Sequence, residues 1–213
     1  RPHDHHRREV LNRFIRQNRH LLESLIYYDQ QIFFFINRQL SNPAFDFIMP
    51  YVRERDFWIP LYVLLVFYFV RLLKKWSWVA LLTAAITVVI TDQVSSTLIK
   101  PWIGRLRPCN DPSLAEQVQL IVNCGSGFSF VSSHAANHFG IACFLIVMLQ
   151  HRLKWILPVA LFWAALVSFA QVYVGVHYPL DVICGGLLGV AIGILTGKIC
   201  KGILIKHNPQ VFA

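Results

Sequence analysis

Apolar residues run along this chain in long blocks that short polar stretches separate. A helix needs about 20 mostly apolar residues to cross a bilayer. Five stretches meet that requirement, and they are 57–73, 78–99, 131–150, 155–174 and 180–200. The pattern predicts an all-α integral membrane bundle of about five transmembrane helices.

Two of these predicted spans contain polar residues. The second span includes Asp92 and Gln93, and the third includes His134, Asn137 and His138. Such side chains are costly to place against lipid, so they normally face the interior of a helical bundle. We therefore expect the polar faces of these two helices to point toward each other or toward a site.

The segment 21–40 has a different pattern, since polar residues such as Asp29 and Asn37 interrupt its apolar run. This pattern predicts an amphipathic helix that lies in the membrane interface. An irregular sixth span is the alternative. The following residues, 41–47 (SNPAFDF) and Pro50, predict a turn toward the first span.

Composition supports a membrane protein of one domain. The chain has 213 residues, of which 55% are hydrophobic and 15% charged, whereas soluble domains have about 25% charged residues. Its net charge of +9 resides mostly in the N-terminal segment and in short loops, which is typical of membrane topology rather than of nucleic-acid binding. We predict a basic flexible tail over 1–20 and a membrane-embedded domain over 21–213, with its core at 55–200.

The distribution of basic residues predicts an orientation. The segments 71–76 and 151–154 and the C-terminal tail together carry eight Lys and Arg residues and no acidic residue. Such loops concentrate on the cytoplasmic side, which leaves 100–130 and the turn near 174–179 on the opposite side. The basic N-terminal tail would also lie on that exported side, and its positive charge therefore argues against this orientation.

Three clusters of reactive residues fall on this exported side. The first contains Lys100 and Arg107, which follow the second span. Basic residues near the end of a membrane helix are often interfacial anchors. Here they share one side of the membrane with two further clusters, so we interpret them as candidate ligands for an anion.

The second cluster opens the third span with Ser132, Ser133 and His134. A serine at this position is typical of a helix N-cap, and a helix start also presents free N–H groups to an anion. His134 stands beside these hydroxyls at the end of a span, which makes it a functional candidate. His138, one turn deeper, is interpreted as structural.

The third cluster pairs His177 with Asp181 at the start of the fifth span. A carboxylate that binds one imidazole nitrogen fixes the tautomer and leaves the other nitrogen free to attack. The alternative is an ordinary capping pair. Cations, amide donors and two histidines together suit phosphoryl transfer. The sequence contains no P-loop or HExxH motif, and we predict neither a metal nor a cofactor.

These clusters resemble the type 2 phosphatidic acid phosphatase superfamily. Its pattern is K-x6-RP, then PSGH, then SR-x5-H-x3-D. Lys100 and Arg107–Pro108 match the first motif, and 131–134 (VSSH) matches the second with two replacements. The third keeps its spacing from Gln171 to His177 and Asp181, but Ala170 and Gln171 replace its serine and arginine.

The resemblance implies a role for each matching residue. His177 would be the nucleophile, Asp181 would orient it, and His134 would protonate the leaving oxygen. The phosphate ligands would be Lys100, Arg107, Ser132, the backbone of Ser133, and Gln171. Gln171 carries no charge, so we expect Arg105 or another cation to compensate.

The exported loop also contains Cys109 and Cys124. A disulfide between them is plausible if this face of the membrane is periplasmic. Cys143, Cys184 and Cys200 lie within predicted spans and are interpreted as core residues.

The sequence thus predicts a lipid phosphatase in a bacterial inner membrane, with its site on the periplasmic face. Its predicted partners are membrane lipids and a lipid phosphate substrate, and no nucleic acid. Candidate substrates are a polyprenyl pyrophosphate, phosphatidylglycerol phosphate, phosphatidic acid and lipid A. The alternatives are a lipid phosphotransferase that uses the same site and a catalytically impaired phospholipid-binding or transport protein.

Overall fold

A computed structural model of the protein describes residues 19–207 and 209–212, so nearly all of the predicted basic tail lies outside the described residues. Over this part of the chain the structure has helices and no strands. The helices are α1 (19–34), α2 (Pro43–Val52), α3 (Ile59–Leu73), α4 (Ser77–Gln93), α5 (Lys100–Ile103), α6 (Ser133–Leu149), α7 (Ile156–Tyr173) and α8 (Pro179–His207). The predicted all-α fold class is confirmed.

Helices α3, α4, α6, α7 and α8 coincide with the five predicted spans. A π-helical turn, Val94–Ile99, extends α4 as far as Lys100. Within the described residues, three helical stretches are long and apolar enough to cross a membrane, namely Arg55–Asn110, Ile156–Tyr173 and Pro179–His207. The first of them includes both α3 and α4, and α6 is apolar but shorter, with 17 residues. The number of membrane crossings therefore stays a prediction.

Glycines bring α8 into backbone contact with α6. A Cβ atom on Gly185 would lie 2.4 Å from the carbonyl oxygen of Ser132, and one on Gly189 would lie 2.2 Å from that of Ala136. Two more glycines continue this row toward the other end of α8, Gly193 and Gly197. The row fixes the start of α8, which carries Asp181, beside the start of α6, which carries His134.

The segment 41–47, which the sequence predicted to be a turn, instead begins helix α2. The side-chain oxygen of Asn42 accepts hydrogen bonds from the backbone N–H groups of Ala44 and Phe45 at 3.1 and 3.0 Å. Pro43 occupies the first turn, where a missing N–H does no harm. The helix ends at Val52, and Arg53 follows directly as its C-cap residue.

Helix α1 is amphipathic, and with the π-helical turn Phe35–Gln39 that extends it, it buries the polar residues Asp29 and Asn37. Asp29, Phe33 and Asn37 are buried at four-residue intervals. Asn37 Nδ2 donates to the carbonyl oxygen of Tyr173 at 2.7 Å and to that of Gln119 at 2.8 Å. Apolar side chains are exposed on the helix, among them Leu21, Leu25 and Ile32. An exposed apolar face fits a helix in the membrane interface.

Candidate active site

The imidazole of His177 lies in the turn between α7 and α8, against the first turn of α8. Its Nδ1 atom is 3.5 Å from Asp181 Oδ2 and 3.3 Å from Ser129 Oγ. Nδ1 therefore faces a carboxylate and a hydroxyl, which favours the tautomer that carries its hydrogen on Nδ1. The Nε2 atom is then unprotonated and available as a nucleophile.

Asp181 is held by several donors. Its Oδ2 accepts hydrogen bonds from the Ser129 hydroxyl and, at 2.8 Å, from the Tyr178 backbone N–H. Its Oδ1 accepts from Arg105 Nη1 at 2.8 Å. A buried carboxylate with this many donors stays ionised and fixed in orientation, as a group that orients His177 must be.

Arg105 bridges two buried carboxylates. Its Nη2 donates to Asp29 Oδ2 at 2.6 Å while Nη1 binds Asp181. The guanidinium also lies over the ring of Tyr178, 3.8 Å from the centroid. The sequence offered Arg105 as a compensating phosphate ligand, but the structure instead directs its guanidinium to Asp29 and Asp181. Arg105 is a positioning residue for Asp181.

Burial lowers the pKa of His177 below its usual value, and the charges of Lys100 and Arg107 act in the same direction. Asp181 opposes them by stabilising the imidazolium. The net result is a neutral imidazole at neutral pH. Two predicted phosphate ligands are thus close enough to His177 to act on its charge state.

Arg107 is fixed by the loop that follows it. Its Nη1 donates to the carbonyl oxygen of Cys124 at 3.2 Å, and a disulfide joins Cys124 to Cys109. The buried Nε of Arg107 has no hydrogen-bond partner among the described residues. An unpartnered guanidinium nitrogen beside a buried histidine suits an anionic ligand.

The start of α6 brings Ser132, Ser133 and His134 to the same place. The Ser132 hydroxyl accepts from the backbone N–H of Ala135 at 3.4 Å, which is the predicted N-cap. The backbone N–H of Ser132 donates to the carbonyl oxygen of Asp181 at 2.9 Å. His134 therefore begins a helix that is tied directly to the residue orienting His177.

Gln171 is fully buried in α7 and contacts Arg53. Its Nε2 donates to the Arg53 carbonyl oxygen at 3.5 Å. After burial, the charge of Arg53 is the main influence that lowers the pKa of Arg107, and His134 also lies within range of that charge. The structure therefore brings a third cation to the site beside Gln171.

A groove of about 770 Å³ leads away from this site between α3, α4 and α6. His134 and Ser133 line its polar end. Val66 and Val89 line it farther down and are exposed on the lipid-facing sides of their helices. The groove therefore opens sideways onto the region that lipid tails occupy.

Sequence reasoning missed three residues of the site: Arg53, Asp29 and Ser129. Arg53 and Asp29 precede the first recognised motif by more than 40 residues, and no local spacing links them to it. Ser129 had a weak signal, because it belongs to the hydroxyl-rich run 126–133 that ends in the second motif.

A fold of this kind, with its two histidines and basic cluster, defines a class of membrane phosphatase, and comparison with known proteins agrees. The family model described as the PAP2 superfamily matches residues 76–201. The chain belongs to this superfamily and is an integral membrane phosphatase.

Individual relatives support the same assignment. The chain is 35% identical to the lipid A 4'-phosphatase of Bacteroides thetaiotaomicron, over 79% of this chain and 75% of the relative. It is 31% identical to an undecaprenyl-diphosphatase of Sulfolobus acidocaldarius, over 89% of this chain and 86% of that one. The crystal structure of a transmembrane PAP2-type phosphatidylglycerolphosphate phosphatase from Bacillus subtilis superposes with a TM-score of 0.59 at 26% identity, covering 86% and 87% of the two chains.

Proposed function

We propose that this protein hydrolyses a lipid phosphate ester through a phosphohistidine intermediate on His177. The observation that carries the proposal is the contact of His177 Nδ1 with Asp181 Oδ2 and Ser129 Oγ, which leaves Nε2 free. A neutral, oriented imidazole is a competent nucleophile toward phosphorus.

The reaction has two steps. His177 Nε2 attacks phosphorus, the P–N bond forms, the P–O ester bond breaks, and His134 gives its proton to the leaving oxygen. Water then attacks phosphorus while His134 accepts a proton, the P–N bond breaks, and inorganic phosphate leaves. The charge that develops on the phosphoryl oxygens is stabilised by fixed cations and by N–H groups at the start of α6.

Arg53 completes the cation set together with Lys100 and Arg107. Gln171 occupies the position at which the resemblance expects an arginine, and it donates its amide to the Arg53 backbone. Arg53 therefore supplies from α2 the charge that Gln171 lacks. Its Nη2 lies 3.6 Å from the carboxylate of Glu54, but its buried Nε has no hydrogen-bond partner within the described part of the chain, which leaves that nitrogen for a phosphate.

The substrate is a lipid because the groove below His134 opens onto the lipid-facing side of α3 and α4. The headgroup can then reach the cations while its tail stays in the bilayer. The curated relatives act on lipid A and on undecaprenyl diphosphate, which supports a lipid phosphate as the substrate here.

The site faces the periplasm from the inner membrane in our proposal. The loop with the disulfide Cys109–Cys124 lies at the site, and disulfides persist in oxidising compartments. The basic loops lie at the opposite helix ends. A single cysteine introduced into 110–123 should react with an impermeant reagent on spheroplasts, and labelling only after lysis would reverse this orientation.

The test of the reaction is phosphate release in detergent without divalent metal, from lipid A, a polyprenyl diphosphate, phosphatidylglycerol phosphate and phosphatidic acid. The wild type should release phosphate and form an acid-labile phosphoenzyme, and His177→Ala should do neither. Phosphate found on an acceptor lipid instead of in water would establish a transferase. Release by His177→Ala at the wild-type rate would exclude the phosphohistidine.

A further inference from the structure

Two buried polar atoms without partners belong to side chains that line the groove below the phosphate site. They are Nε2 of His138 and Nε1 of Trp163, and neither has a hydrogen-bond partner among the described residues. Both residues line the groove. His138 is 6% exposed and Trp163 is 7% exposed, so bulk water does not solvate them freely.

Each atom has a defined hydrogen-bonding role. His138 Nδ1 is 2.8 Å from the carbonyl oxygen of His134, which can only accept, so Nδ1 is the donor. In the neutral imidazole Nε2 is then an acceptor. The indole Nε1 of Trp163 is a donor and nothing else. Together these two side chains therefore offer one acceptor and one donor, beside the other polar residues of the lining such as Asp92 and Asn137.

The two side chains pack against each other. The rings of His138 and Trp163 are edge to face, with centroids 5.0 Å apart. His138 follows His134 by four positions on α6, which places it about 6 Å farther along the helix axis at 1.5 Å per residue. Below this level the groove is apolar, with Leu65, Phe69 and Leu145 among its lining residues.

We propose that His138 and Trp163 bind a hydrogen-bonding group of the leaving lipid, such as a secondary amide or a hydroxyl close to the phosphate ester. This inference rests on the proposed function. An amide or a hydroxyl can donate to His138 Nε2 and accept from Trp163 Nε1. An ether oxygen accepts more weakly than an amide carbonyl and donates nothing, and an isoprenoid chain does neither. Each therefore leaves the His138 acceptor unsatisfied and pairs poorly with the Trp163 donor.

The consequence is a preference for acylated amino-lipid or glycolipid phosphates over hydrocarbon phosphates. A site built to hydrogen-bond a substrate group discriminates strongly against an analogue that lacks it, because its own polar groups are then left unpaired. The subsite thereby selects among the lipid phosphates that the cation cluster alone would accept.

The test uses two lipid phosphates as probes, and each of them has two hydrocarbon chains. Ceramide 1-phosphate carries an amide and a hydroxyl beside the ester, and 1,2-di-O-hexadecylglycerol 3-phosphate carries ether oxygens instead. We expect the wild type to have the higher kcat/KM for ceramide 1-phosphate. Trp163→Phe keeps the ring and removes the donor, and it should reduce the ratio of the two kcat/KM values about tenfold, the worth of one hydrogen bond.

The matched control is Trp155→Phe, the same change at an exposed position before α7, which should leave the ratio unchanged. His138→Phe should lower the ratio as Trp163→Phe does. If Trp163→Phe has the same ratio of the two kcat/KM values as the wild type, the subsite is overturned. This holds whether both values fall or neither does.

Binding separates this inference from the reaction itself. In the His177→Ala background, native mass spectrometry in detergent gives the relative affinity for the two probes with no turnover. The preference for ceramide 1-phosphate, and its loss with Trp163→Phe, should persist there. If the wild type releases phosphate from neither probe and from none of the four lipid phosphates named above, the proposed function fails, while equal binding of both probes would overturn the subsite alone.

Discussion

Gln171 donates a hydrogen bond from Nε2 to the backbone carbonyl oxygen of Arg53, 3.5 Å away. The residue that replaces the family's arginine thus contacts an arginine from another helix. In our proposal Arg53, at the end of α2, supplies the positive charge that the family pattern places on α7, and Gln171 supports Arg53 through this hydrogen bond.

This contact predicts what happens to activity when the positive charge at residue 53 is removed and when it is placed at residue 171 instead. Arg53→Gln should lower kcat about 100-fold, as loss of one preorganised donor to a developing oxyanion does. The double variant Arg53→Gln with Gln171→Arg should recover part of that loss, because it returns the charge to the family position. Phosphate release in detergent measures both variants.

Gln171→Arg alone is the control for this swap. It places a second guanidinium beside Arg53, and like charges at that spacing repel, so its activity should not exceed that of the wild type. If Arg53→Gln retains full activity, Arg53 is not a phosphate ligand.

The ionisation of His177 can be observed directly. Burial lowers its pKa to about 4, with a further contribution from the charge of Lys100. Because the folded pKa is lowered, the imidazole stays neutral from pH 7 down to about pH 5 and becomes charged only as the pH falls through about 4. We expect this titration in NMR spectra of protein labelled with 15N-histidine in detergent.

The His177 signal is assigned by its absence in His177→Gln. Lys100→Met removes a charge that lowers the pKa, so it should move the titration to higher pH. A His177 signal that titrates near 6.5, the ordinary value for histidine, would contradict the buried site described above.

The disulfide should matter for activity as well as stability. It closes a 15-residue separation, for which chain entropy implies about 3 kcal/mol of stabilisation. It also fixes Cys124, whose carbonyl accepts from Arg107. The Cys109→Ser, Cys124→Ser variant should therefore melt at lower temperature and show a raised KM in phosphate release.

The control for this variant replaces the other three cysteines, Cys143, Cys184 and Cys200, with alanine and keeps the disulfide. Reductant should raise the KM of that protein and leave the Cys109→Ser, Cys124→Ser protein unaffected. Equal KM values with and without the disulfide would mean that Arg107 is held by other contacts.

The glycine row on α8 gives a prediction for the fold. A Cβ on Gly189 would lie 2.2 Å from the Ala136 carbonyl oxygen, so Gly189→Ala must push α8 away from α6. We expect it to destabilise the protein by about 3 kcal/mol or more and to reduce activity by separating His134 from Asp181. Thermal unfolding in detergent measures the loss.

Gly202→Ala is the matched control on the same helix, since a Cβ there would meet no atom within 4 Å. Its melting temperature should equal or exceed that of the wild type because alanine favours helix. Equal melting temperatures for the two variants would mean that α6 and α8 tolerate a wider separation.

The sequence predicted the helices well because a span must be continuously apolar, and that requirement is local. Its third motif also paired His177 with Asp181, whose side chains the structure places 3.5 Å apart, because the spacing of the motif resembles that of a known family. Their roles stay predictions. The errors had two causes, an ambiguous local signal and contacts between residues that are distant in the sequence. Asn42–Pro43 suits either a turn or a helix start, and the sequence alone favoured the turn over α2.

Long-range contacts also explain why Arg53 and Asp29 were missed. Asp29 was interpreted as a polar break in an interfacial helix, whereas its carboxylate binds Arg105 and the backbone N–H of Leu180. The distant partners of Asp29 and Arg53 lie on α7, on α8 or in the loop after α5, although Arg53 Nη2 also lies 3.6 Å from Oε1 of its neighbour Glu54. No pattern within α1 or α2 could identify those partners.

The sideways opening of the groove between α3 and α4 has a kinetic consequence. A substrate that enters from the bilayer is presented to the enzyme in two dimensions, so its effective concentration is its mole fraction in the membrane. Diluting the substrate with inert lipid should therefore slow the enzyme, and diluting the whole vesicle suspension should not. The abundance of the phosphorylated lipid relative to its neighbours in the leaflet would then set the rate in the cell.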